Sequence, residues 1–296
     1  MTMTRIAIDR STIEPWVAVA HSSRLLLDIL AQIGEPKIGS NFDVVNAHYP
    51  PERSSDWCRE FLTAGIEHMT MWADHVAPLR FDEEAQVTHT FRPVQTLSRA
   101  AIEAASQAVW MMNGESAREC ARRHICLLLD DLDEQRKAAM GDERKARLKA
   151  ARQVVLERLE SVISEKDIGR FPGYMAIVKE AAATVAVKGK VDADLADPDV
   201  VERLWRASAG SAHGKRWPSL ELQVVNPGKE ILPGLYETDR APDPLAITKI
   251  LKVADAVLTY GVLRFADYSG YEPQLAKIIS DAQERLVSVI PRRTDL

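Results

Sequence analysis

The sequence predicts an all-α fold, a multi-helix bundle with one small β-hairpin near residues 220–236. Three observations predict it. Apolar residues recur at helical spacing through most of the chain, and Pro and Gly punctuate the periodic runs. One stretch, "LELQVV", "NPGK" and "EILPGLY", instead places two short apolar runs on either side of a turn signal. A chain of 296 residues can bury a substantial core, so residues 1–296 read as a single helical domain. The Gly- and Pro-containing "DIGRFPGY" marks one candidate internal boundary near residues 167–173.

Taken in order, "WVAVAHSSRLLLDILAQI" from Trp16 to Ile33 is a first helix, stopped by Gly34-Glu35-Pro36. "NFDVVNAHYPPERSS" is rich in turn formers and reads as a loop. Ser55-Asp56 then offers an N-cap for a second helix to about Ala77, carrying His68, Trp72, Asp74 and His75. After the polar connection "RFDEEAQVTHTFRP", the run "VQTLSRAAIEAASQAVWMM" is helical and apolar nearly all round, which places it at the centre of the core. Asn113-Gly114 ends it, and "ESARECARRHICLLLDDLDEQRKAAM" turns back as an antiparallel partner. "ERKARLKAARQVVLERLESVI" follows, with its charges outside a Leu/Val stripe. Beyond the break come "MAIVKEAAATVAV" and a helix opened by Asp197 as N-cap and Pro198 at the first helical position. In the hairpin, "NPGK" is the expected turn, and Pro233 confines the second strand to an edge. "PLAITKILKVADAVLTYGVLRFADY" and "QLAKIISDAQERLVSVI" return the chain to amphipathic helix. Trp72, Trp110, Trp205 and Trp217 read as core anchors, and His124 as a residue at the edge of the Ala117, Ala121, Ile125, Leu128 stripe.

Composition narrows the function classes. A formal net charge of -5 argues against a surface uniformly attracted to nucleic acid, although Arg-rich patches can still contact phosphate. The N-terminal "MTMTRIAIDRSTIEPW" lacks the apolar core of a signal peptide, and no segment approaches a membrane span, so the expected compartment is the cytoplasm and no membrane partner is expected. Cys58, Cys120 and Cys126 are odd in number and form no CxxC, which points to reduced thiols rather than a disulfide framework or zinc site. His68 and His75 lie about 10.5 Å apart along a helix, too far to share one ion. No metal or other cofactor is expected. Gly-rich phosphate loops, GxSxG and HExxH are absent, leaving nucleotide-binding folds, serine hydrolases and zincins without support.

The strongest lead is "LWRASAGSAHGKRW", Leu204 to Trp217. On an unbroken helix, seven positions return His213 to within about 20° of Arg206, two turns along one face. A cation and a proton carrier so placed suit metal-free RNA cleavage, with His exchanging protons and Arg stabilising charge on phosphorus. The small "ASAGSA" equally suits close helix packing, and Gly210 is a candidate helix end. A second pair, Arg118 and His124, falls about 120° apart on a helix and cannot easily share a target.

The Arg206, "ASAGSA", His213 pattern resembles the HEPN-like bacterial helical proteins, whose nuclease members carry an Arg, four to six arbitrary residues and a His. The apolar helix with Arg99 and Glu103, and the Arg-rich "RECARRH", are similar to all-helical proteins of high-GC actinobacteria. The resemblance implies a helical fold, a homodimer, and a metal-independent ribonuclease of a toxin or phage-defence system with RNA as substrate and an antitoxin or other protein as partner. Arg206 and His213 would then be catalytic. Ala207 departs from the polar residue usual after the Arg in active members, so a non-catalytic protein that binds a partner or small ligand is the alternative.

A second polar set is expected around Arg99 and Glu103, one turn apart on the apolar helix. Arg118, Arg122, Asp74 and His75 are candidate partners. Converging, they would line a ligand pocket or support His213. Otherwise they are ion pairs that set helix register.

Overall fold

The apolar run at 94–112 lies at the centre of the molecule. In the computed structural model, which describes residues 10–76, 91–160, 162–189, 197–218 and 223–290, it forms helix α4, Phe91–Met112. The elements before it are α1 (Arg10–Gln32), α2 (Asn41–Asn46) and α3 (Ser54–Val76). After it come α5 (Ala117–Ala138), α6 (Asp142–Leu159), α7 (Glu165–Ile168), α8 (Tyr174–Lys188) and α9 (Pro198–Ala212). Strands β1 (Gln223–Leu232) and β2 (Leu235–Pro242) make one antiparallel hairpin, and α10 (Pro244–Tyr268) and α11 (Leu275–Val289) close the bundle. The fold is all-α apart from that hairpin.

Ala101, Ile102, Ala105, Ala108, Val109 and Met111 of α4 are all buried, because α3 and α10 cover one side of it and α8 and α9 another. Helix α1 lies across α3 and α10, and α11 lies on α1. One apolar cluster runs through all of these, drawing on residues from both sides of 167–173. The close approach of three helices depends on Gly65. A methyl group there would sit 2.8 Å from Leu258 Cδ2 and 3.1 Å from the Ala101 carbonyl oxygen. Gly65→Ala is therefore expected to destabilise the protein by about 1–3 kcal/mol by overpacking, although Ala is the better helix former by about 1 kcal/mol. Urea denaturation reads this directly, and a raised midpoint would refute the close packing.

Several elements differ from the sequence expectation for identifiable reasons. The stretch read as a loop after the first helix contains α2, capped by Ser40 Oγ accepting from the Asp43 N–H. Its buried Phe42 packs 5.3 Å from the Phe265 ring and 5.4 Å from Tyr268, so tertiary contact holds a helix too short to stand alone. Helix α1 begins at Arg10, six residues before Trp16, and continues through Pro15. Helix α4 takes Pro93 into its first turn, where no intrahelical N–H bond is lost. The rest of that polar connection, residues 80–90, lies outside the described residues, as do residues 220–222 of the first hairpin segment.

The hairpin turn is Pro233-Gly234, not "NPGK". Leu232 pairs with Leu235, and Gly234 takes φ +76, the position that a type II turn with Pro before it requires. "NPGK" is absorbed into β1, where the register shifts between Pro227 and Glu230. With only two strands both are edges, so a Pro in β1 costs no ladder on its outer side.

Candidate functional site on helix α9

Asp197 accepts from the Asp199 N–H and Pro198 opens α9, as the local sequence dictates. The small residues are explained by packing. Ala207, Ser208, Gly210 and Ser211 are buried where α9 lies on α4 and α8. Ser208 Oγ donates to the Leu204 carbonyl at 2.8 Å, and Ser211 Oγ bonds Gln95 Oε1 of α4. A Cβ at Gly210 would lie 2.6 Å from Pro218 Cγ and 3.3 Å from Trp217 Nε1, so the chain after the helix folds back onto that glycine.

Gly210 does not end the helix. Gly214 does, at φ +70, with its N–H bonded to the Ser211 carbonyl (3.0 Å) and the Lys215 N–H bonded to the Gly210 carbonyl (2.8 Å). This is the Schellman arrangement, which makes His213 the C-cap residue and exposes it. No hydrogen bond engages its imidazole among the described residues. Lys215 and Arg216, also exposed, follow at once.

Arg206 is exposed too, but turned away from His213. Its Nε donates to Glu202 Oε1 at 2.8 Å and its Nη2 lies 2.8 Å from Met175 Sδ on α8. Glu202 also accepts from Lys179 Nζ at 2.7 Å, and these two cations hold its carboxyl below the ordinary range. The two Cα atoms are about 10.5 Å apart along the helix, with the guanidinium reaching toward the helix start and the imidazole at its end.

Behind α9, Arg99 Nε donates to Glu103 Oε1 at 2.8 Å, forming the expected one-turn pair. Its third member is Trp205, which sequence reasoning did not connect to it. The indole Nε1 donates to the same carboxylate oxygen at 2.6 Å, and the Arg99 guanidinium stacks 4.9 Å over the ring. The group pins α9 to α4 and leaves Arg206 and His213 on the outer face.

The other members of the expected polar set are dispersed, so they form no common pocket with Arg99 and Glu103. Arg118 donates to the Val162 carbonyl at 3.2 Å. Arg122 grips Glu119 through Nε and Nη2, both at 2.7 Å, and donates from Nη1 to the Ile168 carbonyl at 2.6 Å. Hydrogen bonds from Arg122 and Arg123 bring the Glu119 carboxyl down to about 2. Arg123 also donates to Glu180 Oε1 at 2.7 Å, and Trp110 Nε1 to Glu180 Oε2 at 2.9 Å, so α4, α5 and α8 share one network. Its visible signal was Glu119 followed three and four positions later by Arg. Asp74 pairs with Arg24 of α1 at 2.7 Å, and exposed His75 is beside it. Both line an open groove of about 540 Å³ with Leu27, Glu67, Thr70 and Met71.

Two aromatic expectations are corrected. Trp72 and Trp110 are buried as core anchors, but Trp217 is 44% exposed. His124 is not a boundary residue. It is 1% exposed, because α5 presents it to α3, where it meets the Trp57 ring edge-on at 5.5 Å.

The three cysteines are free and buried. Among the described residues no group of three or more His, Cys, Asp or Glu is placed to hold a metal ion, and no helix is long and apolar enough to cross a membrane. Compared with family models, curated proteins and solved structures, the chain matches none.

Proposed function

We propose that the protein binds RNA at the C-terminal end of α9 and cleaves it without a metal ion, in the manner of the HEPN-like ribonucleases its sequence resembles. The observation that carries the reading is the exposed, unengaged imidazole of His213, with Lys215 and Arg216 exposed just beyond it and Arg206 exposed two turns earlier on the helix. His213 accepts the proton of a 2′-hydroxyl, the 2′-oxygen bonds to phosphorus, and the bond to the 5′-oxygen breaks, with a proton returned to that leaving oxygen. Arg206 stabilises the charge on the phosphoryl oxygens. To do so it exchanges Glu202 for phosphate, which is feasible because exposed ion pairs of this kind are weak. A homodimer that sets a second α9 across the same strand would supply the opposite cation, and an antitoxin would act by covering this face.

The alternative is a non-catalytic helical protein that binds a protein partner or small ligand. The direction of the Arg206 side chain, toward Glu202 and Met175, favours it. Incubation of purified protein with mixed tRNA and mRNA, with and without EDTA, separates the two. Wild type is expected to cleave in EDTA, and His213→Ala, matched for helicity by circular dichroism, to lose at least about a hundred-fold of that activity. EDTA-resistant cleavage surviving in the variant would remove His213 from the chemistry. Absence of cleavage by wild type across several RNAs would leave the binding reading.

A further inference from the structure

The Schellman turn that exposes His213 delivers Trp217 to the surface four residues later. Its indole is held rather than loose, since the Nε1 and Cε2 edge lies 3.3 and 3.4 Å from where a Gly210 Cβ would be, and buried Pro218 closes against the same glycine. What remains exposed is 44% of a large aromatic side chain, at a point where burial like that of Trp72 would have been the ordinary outcome. Immediately before it stand Lys215 and Arg216, both exposed. An immobilised aromatic ring beside cations is the pairing by which proteins hold single-stranded nucleic acid: the ring stacks on a base face, and the cations follow the phosphates. A duplex hides its base faces, so such a ring has nothing to stack on.

We propose that Trp217 is a base-stacking platform that gives the α9 site its preference for unpaired RNA and seats one nucleotide beside His213. The inference rests on the RNA reading above and adds the substrate class and the residue that selects it. Gly210 is then part of the site, because no side chain at that position would let the indole lie against the helix. Stacking requires a flat aromatic ring, so Phe substitutes for Trp and Ala does not.

The test is fluorescence anisotropy with a labelled 2′-O-methyl uridine oligomer of about twelve nucleotides, which lacks the attacking hydroxyl, alongside a 2′-O-methyl duplex of equal length. Wild type is expected to bind the oligomer more tightly than the duplex. Trp217→Ala is expected to weaken oligomer binding on the order of ten- to a hundred-fold without changing duplex binding, and Trp217→Phe to stay within several-fold of wild type. Equal oligomer binding by wild type and Trp217→Ala would overturn the proposal while leaving RNA binding intact, as would an equal loss for oligomer and duplex. Failure of wild type to bind either nucleic acid would overturn the RNA reading and this inference with it. Trp217-dependent binding by a protein that cleaves nothing would support the platform and refute the nuclease.

Discussion

His124→Leu is expected to gain about 2 kcal/mol of stability relative to wild type when the pH is lowered from 7.5 to 5. His124 is buried between α5 and α3 with the Trp57 ring against it, and its Nε2 has no hydrogen-bond partner among the described residues. Burial alone pushes the imidazole down from its usual 6.5 to about 3. The folded protein therefore keeps it neutral while the unfolded chain takes up a proton below 6.5. Stability from this group is complete above that value and is lost as the pH falls toward 3. Leu occupies similar space without a titrating nitrogen. Urea unfolding at the two pH values measures the difference, and a variant that tracks wild type at both would sink the assignment.

Asp255 on α10 has the opposite sign. Its carboxylate accepts from Ser22 of α1, but Oδ1 is buried and unpartnered among the described residues. Burial raises it from 3.8 to about 6, against the smaller opposing effect of the Ser22 bond. A raised carboxyl contributes its full stability below 3.8 and loses it as the pH rises through 6. Asp255→Asn is expected to stabilise the protein at pH 7.5 by up to about 3 kcal/mol. Between pH 7.5 and 5, the Asp255 gain of about 1 kcal/mol offsets part of the His124 loss of about 2. Each single substitution unmasks the other group: His124→Leu gains stability on acidification, and Asp255→Asn loses it more steeply than wild type. A shallower acid loss in Asp255→Asn than in wild type would show that the carboxyl is not buried in its charged form.

How much of the site was legible follows from how far each interaction reaches along the chain. Asp197 and Pro198 at the start of α9, and the Arg99–Glu103 pair, are contacts within one helical turn, so spacing alone locates them. Trp205 donates to Glu103 across 102 positions, and nothing near Trp205 marks it as a partner. The helical wheel relates Arg206 and His213 by two turns, and both are exposed. It could not give the direction of the Arg206 side chain, which is set by Glu202 one turn back and by Met175 of another helix. Both Pro-Gly pairs in the hairpin are competent turns locally. The pairing of Leu232 with Leu235 decided between them.

The sequence by itself determined that the chain would be helical, where most helices start and stop, and that α4 would be central, because these follow from backbone propensity, caps and apolar period. Only the tertiary structure decided which like residues have unlike fates. Trp72 and Trp217 are the same side chain, yet one is buried against Trp16 of α1 while the other rides on a glycine at the surface. Likewise His124 is carried into the core and His213 out to solvent. Burial is a property of what arrives from distant parts of the chain to cover a residue, and helical period specifies only the face on which it waits.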